Sequence, residues 1–168
     1  ENMDVELRDP AKMGNYFSRE RRDRRFDSIV RKAMSDGVPV SDADRLRITG
    51  RYSDRLIALR GETIARTESI HAMNAGRVEG IEQLIDKGAI QRSQAKIRWS
   101  ATLDSRTRDS HEHLNGQEVV VGQAFVSSTG ARMRWAGDTG LGAGGEDVIA
   151  CRCYTEPVID FLAEFRNG

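Results

Sequence analysis

The chain has 168 residues, a length suited to one domain with an extended arm; 38% are hydrophobic and only 6% aromatic, which allows a modest core. Acidic and basic residues balance at 26 each, so no net field draws the whole molecule to nucleic acid or to an anionic membrane, and any such attraction is local. No apolar run reaches membrane-spanning length and no signal-like segment opens the chain; two cysteines do not make a secreted disulfide scaffold, which leaves a cytosolic origin as the default. The first residues are Glu1-Asn2-Met3, without a leading methionine, so the chain reads as a piece of something longer.

Residues 1–17 lack a clear period, are broken by Pro10 and Gly14, and read as an arm. A densely charged helix is expected from Ser18 as its cap, with Phe26, Ile29, Val30, Ala33 and Met34 on one face and a stop at Gly37-Val38-Pro39. Its Arg19, Arg21, Arg22, Arg24 and Arg25 are either a solvated face or contacts for nucleic-acid phosphates or an acidic partner. Ser41 caps a second helix, with Asp42 and Asp44 near its positive end and Leu46, Tyr52, Leu56 and Leu59 as its buried stripe. Gly61 bends it or separates it from a third helix, Glu62 to about Lys87, which carries Ile64, His71, Ala75, Val78 and Ile85 on one stripe. A second stripe of small residues (Gly61, Ala65, Ala72, Gly76, Gly80) predicts close approach of another backbone.

Past Gly88 the period changes from helical to alternating. Lys96 to Leu103 reads as a strand with Ile97, Trp99, Ala101 and Leu103 on its buried side. Glu118–Val121 is a short strand, and Ser127–Gly130 is a turn joining Phe125-Val126 to Met133–Trp135. Gly137–Gly145 holds five glycines in nine residues and reads as a loop; it lacks the Lys-Ser/Thr ending of a phosphate cradle. Val148–Tyr154 is the last strand expected, ended by Glu156-Pro157, with Ile159, Leu162 and Phe165 on a short terminal helix. Helices first and strands later give an α+β fold, N-terminal helices packed on a small, mainly antiparallel C-terminal sheet. The division expected is an arm and arginine-rich helix over residues 1–40 and a single domain over 41–168.

Chemistry concentrates in Asp104–Gly116, which packs three carboxylates, two arginines and two of the three histidines into thirteen residues and offers almost nothing apolar to bury. The two cysteines follow in Cys151-Arg152-Cys153. In a strand their side chains share a face roughly 6.6 Å apart, too parallel for a mutual disulfide but placed to chelate one ion. With His111 and His113, if that segment is extended, they make a Cys2His2 ligand set for zinc, with Asp104 or Asp109 as a substitute ligand. The alternative is two half-buried cysteines packing as small apolar groups beside two surface histidines. Asp104, Arg106, Arg108 and Asp109 either lock their loop through Arg–carboxylate bonds or, with Glu112 and His111, serve a metal-dependent hydrolase or nuclease. No Gly-x-Ser-x-Gly elbow accompanies them.

Three motifs in series carry a family resemblance. Ile64-Ala-Arg-Thr-Glu68 followed by Asn74-Ala-Gly-Arg77, then Trp99-Ser-Ala-Thr-Leu-Asp104 with Arg106-Thr-Arg108, His111 and Leu114-Asn-Gly116, then Cys151-Arg152-Cys153 resemble the phage Mu F-like minor head protein family, over about residues 45 to 157. This chain has Ala150 where that family commonly has an asparagine, and a long glycine loop where it has an aromatic- and proline-rich segment. The resemblance implies a minor capsid protein of a tailed double-stranded DNA phage, acting in head morphogenesis, associated with the portal or inner head, and in some phages influencing DNA packaging or ejection. It implies the portal or major capsid protein and packaged DNA as partners, no membrane, and a place in the virion after synthesis in the host bacterial cytoplasm. Some members carry a toxin domain after this module. Arg66, Glu68, Asn74, Asp104, Arg106, Arg108, Gly116 and Arg152 are then its structural signature, with no catalytic residue assigned and zinc as the one candidate cofactor.

Overall fold

The computed structural model describes residues 2–162. The chain divides into two compact units, Glu1–Glu62 and Thr63–Gly168.

In the first unit, the stretch expected as an arm forms two short helices, α1 (Met3–Arg8) and α2 (Gly14–Ser18). Asn2 caps α1 by accepting the Asp4 N–H at 3.0 Å. Met3 and Leu7, and then Met13 and Tyr16, sit three or four residues apart and bury together with Phe26, Val30, Ala33, Val40 and Ile48. Each helix is too short to display a period, which is why the pattern read as a loop. The arginine-rich helix also begins later than expected. Ser18 does not cap it; its Oγ donates to the Asn15 carbonyl, and Asp23 instead caps a 3-10 turn over Arg24–Phe26 that leads into α3 (Asp27–Asp36). Gly37 ends α3 in the left-handed conformation, φ 65°.

Helix α4 runs without a break from Asp42 to Asp86. Ser41 caps it, accepting the Asp44 N–H at 3.2 Å, while Gly50 and Gly61 lie within it and Gly61 does not divide it. In the first unit its buried positions are Arg45 and Ile48, with Tyr52 half-buried; Leu46 and Leu56, expected inside, are exposed. Arg45 is accommodated because its Nε donates to Asp4 and its Nη1 to the Val40 carbonyl. In the second unit α4 buries Asn74, Val78 and Ile81 rather than Ile64, which is exposed. The small-residue stripe faces outward: a Cβ on Gly61, Gly76 or Gly80 would meet nothing within 4 Å. The closer approach occurs on another side of the helix, where a Cβ added to Gly137, at φ +89°, would lie 3.6 Å from the His71 Cα.

The second unit is an α+β fold around a small three-stranded antiparallel sheet. Strand β1 (Ala95–Ser100) pairs Lys96 with Val120 of β2 (Glu118–Val120) and Trp99 with Thr155 of β5 (Tyr154–Ile159). The expected alternation holds through Ile97 and Trp99 and stops there; Leu103 lies beyond the strand and is exposed. Between β1 and β2 sits helix α5 (Asp109–Leu114). Strands β3 (Phe125–Val126) and β4 (Arg132–Met133) form the hairpin predicted around the 127–130 turn. After the glycine loop comes a short helix, α6 (Gly145–Val148), not a strand. The last strand starts at Tyr154 and passes through Pro157 to Ile159, so Ile159 is in a strand and not in a terminal helix; Phe165 lies outside the described residues. Proline is tolerated because β5 is an edge strand, where a missing N–H costs no ladder bond. Trp99, Leu114, Phe125, Met133, Val148, Cys151 and Cys153 are among the side chains of one continuous core.

Candidate metal centre and its charged corner

Trp99 sets the site. It is fully buried near the end of β1, and its ring meets His111 edge-on at 5.5 Å and Phe125 at 5.3 Å between centroids. The chain then leaves the sheet through Asp104–Arg108 and enters α5. In a helix successive residues are about 100° apart, so His111 and Leu114 turn inward with Ser110 while Glu112 and His113 turn to solvent. His113 is therefore not brought to His111. The same-face pairing required an extended segment, and this one is helical.

His111 faces the cysteines. Its Nδ1 lies 3.5 Å from Cys151 Sγ and 3.4 Å from Cys153 Sγ, all three residues are buried, and their donor atoms fall within 4.8 Å of one another. Cys151 and Cys153 precede β5 rather than lying in a strand, and both are free thiols. The Cys153 N–H donates to Cys151 Sγ at 3.4 Å. The Cys153 thiol is pulled well below its ordinary range, first by the Cys151 thiol and then by His111 and the indole of Trp99; Cys151 is pushed up by the same partner and by burial. On the far side of the ring, His111 Nε2 is buried without a hydrogen-bond partner and points at Asp147 Oδ1, 3.7 Å away. Asp147, itself buried, accepts from Ser110 Oγ and Thr129 Oγ1.

The charged corner spends its groups on itself. Arg152 clasps Asp104 with two bonds of 2.6 and 2.5 Å, and the Arg106 N–H adds a third donor. That set of donors, Arg152 first, holds the Asp104 carboxyl far below the usual carboxylate range. Thr107 Oγ1 bonds to the Thr102 carbonyl and Arg108 to the Ile149 carbonyl. Asp109 and Glu112 are exposed. Gly116, at φ +80°, returns the chain to β1 by donating to the Trp99 carbonyl, which explains a glycine there.

Asn74 of α4 ties the helix to the cysteine segment. Its Nδ2 donates to the Ala136 and Cys153 carbonyls, and its Oδ1 accepts from the Thr155 N–H and Oγ1. Arg66 and Glu68 lie on the exposed side of the helix, and it is Thr67 between them that reaches the site, accepting the Ala150 N–H at 2.9 Å. Thr67, Ser110, Asp147 and Thr155 were not singled out from the sequence. Thr67 lay inside a quoted motif, whereas Asp147, after a glycine-rich loop, gave no signal of its role. Of the arginines expected to meet a partner, Arg19 binds Glu6, Arg22 binds Asp27 and Arg25 binds Asp23, while Arg21 and Arg24 are exposed.

An α+β domain that gathers the Trp-to-Gly signature, the Arg-Thr-Glu…Asn helix and the Cys-Arg-Cys segment around one histidine is of the phage head-protein class that the motifs resemble. The profile of the Phage Mu protein F like protein family matches residues 25–156, and the chain belongs to that family. It is 36% identical over 104 residues to the NAD(+)--arginine ADP-ribosyltransferase EFV of Enterococcus faecalis, a match covering 60% of this chain and 19% of that protein. It is 34% identical over 96 residues to the minor head protein GP7 of Bacillus phage SPP1, covering 57% of this chain and 29% of that protein. The chain thus spans less than a third of the length of these relatives. No solved structure matches the chain at a significant level.

Proposed function

We propose that this chain is the head-morphogenesis module of a minor capsid protein of a tailed double-stranded DNA phage, working through contacts and not through catalysis, at the portal or the inner face of the head. The observation that carries this reading is the family match over residues 25–156, joined by the likeness to a protein named as a minor head protein. The geometry supports it: Asp104, Arg106, Arg108 and Arg152 serve one another and the local backbone, as an architectural corner requires. The transferase likeness covers too little of that enzyme to bring its activity here. The hydrolase or nuclease alternative needs carboxylates beside His111 at a reacting position, and the carboxylate paired with it among the described residues, Asp147, stands behind the ring.

The partners of this reading are the portal and the major capsid protein, with packaged DNA as a further one. In the first unit, an open groove of about 590 Å³ lined by Phe26, Ile29 and Leu46, with Arg25, Arg47 and Arg51 around them, presents an apolar floor with basic groups. No helix among the described residues is long and apolar enough to cross a membrane. Protease protection in purified virions tests the placement. The chain is expected to resist protease in sealed heads, to be cut once the heads are opened, and to cross-link to the portal. Its absence from virions, or cleavage in sealed particles, would overturn the placement.

A further inference from the structure

His111, Cys151 and Cys153 hold an arrangement that neither packing nor hydrogen bonding explains. A single ring nitrogen has one lone pair and accepts one good hydrogen bond, yet His111 Nδ1 faces two sulfurs at nearly equal distance. Tetrahedral zinc, with Zn–S about 2.3 Å and Zn–N about 2.0–2.1 Å, sets a sulfur and a nitrogen about 3.5 Å apart. The observed 3.5 and 3.4 Å meet that spacing before any ion is placed. The backbone N–H of Cys153 on Cys151 Sγ is a donor suited to a thiolate. Asp147, also buried, stands 3.7 Å from the other nitrogen of the same imidazole.

We propose that His111 Nδ1, Cys151 Sγ and Cys153 Sγ bind one zinc ion, with Asp147 positioning the histidine from behind and the fourth coordination position left to a water or small anion. Two thiolates and an imidazole select zinc over the harder divalent ions, and on binding both thiols release their protons to solvent. Nε2–H then donates to Asp147 Oδ1 once the 3.7 Å gap closes slightly, giving the buried Nε2 its missing partner and fixing the tautomer. The fourth position follows from a cavity of about 20 Å³ bordered by His111 and Cys153 and walled by Arg106, Arg108 and Arg152. That is room for one water, and the guanidinium groups favour an anionic occupant such as hydroxide. This inference stands on the ligand geometry and is independent of where in the virion the chain resides.

The test is titration of the full chain, purified under reducing conditions and stripped of metal, with Co(II) and then Zn(II). One Co(II) per chain is expected, with the visible bands of a tetrahedral site and a charge-transfer intensity of two thiolates, bleached stoichiometrically by Zn(II). Cys153→Ser is expected to halve that charge-transfer intensity. Asp147→Asn is expected to weaken zinc binding by about 10- to 100-fold while leaving the two-thiolate intensity in place. A folded wild-type chain that takes up no Co(II), or a spectrum that Cys153→Ser leaves unchanged, would overturn the site. Unaltered zinc affinity in Asp147→Asn would overturn the role of Asp147.

Discussion

Ala150 is the only described non-glycine residue with a positive φ, 53°, and it immediately precedes Cys151. Left-handed backbone strains an alanine by about 1–2 kcal/mol, whereas asparagine and glycine enter it readily. The asparagine common in the family at this place has a conformational reason, and Ala150→Asn is expected to raise stability by about 0.5–1 kcal/mol, read from the midpoint of denaturant unfolding. Asn74 is the opposite case. It is completely buried and serves two carbonyls and one N–H of two segments, at Ala136 and at Cys153–Thr155, so Asn74→Ala is expected to cost about 3 kcal/mol, because those backbone groups stay buried without partners. Such a loss would be visible by thermal unfolding; a cost under half that size would show that water replaces the amide.

At the scale of the element, the turn from β1 into α5 is held by the Asp104–Arg152 clasp rather than by apolar contacts. The folded-state pKa of Asp104 is depressed, so its stabilising contribution is fully present above the ordinary carboxylate value and is lost as pH falls through the folded one. Asp104→Asn is therefore expected to lower the unfolding midpoint at neutral pH, with a deficit against wild type that shrinks below about pH 4. In a double-mutant cycle with Arg152→Ala the two losses are expected to be non-additive; full additivity would show that the clasp contributes nothing. In α5 a single helical turn decides the chemistry: the same two histidines that an extended chain would set side by side end up one at the cysteines and one in water.

At the scale of the molecule, two separate cores divide the consequences of any change. The apolar side chains of residues 3–48 form one, and those of residues 78–153 form the other, which contains the candidate zinc site. Removing zinc with a chelator is expected to speed hydrogen exchange in β1, α5 and β5 and to leave α1 to α3 at their original protection. Equal loosening of both units would contradict a site confined to the second. For the arginine-rich segment, Arg21 and Arg24 are the exposed members with no ion pair shown among the described residues, so any DNA affinity is expected to fall linearly in a log–log plot against salt. Arg21→Ala with Arg24→Ala is expected to flatten that slope, as measured by fluorescence anisotropy on a duplex; an affinity indifferent to salt would remove DNA as a partner.

The amino-acid sequence by itself determined what local chemistry determines. The Ser41 cap, the Gly37 stop, the apolar alternation through Ile97 and Trp99 and the turn at 127–130 each depend on residues within a few positions of one another, and each was legible. The motifs that resemble the family were legible too, as was the gathering of chemistry in His111 and the two cysteines. What only the tertiary structure decided depends on partners far along the chain. Residues 3–8 and 14–18 are helical because a core built with residues far along the chain takes their apolar faces, and α4 tolerates Gly61 because the turns on either side of it are sustained elsewhere. Pro157 sits in a strand because that strand is an edge. Thr67, Asn74 and Asp147 reach the site across 83, 79 and 36 residues, to Ala150, Cys153 and His111, and no pattern of spacing encodes such distances; they follow from how the core closes.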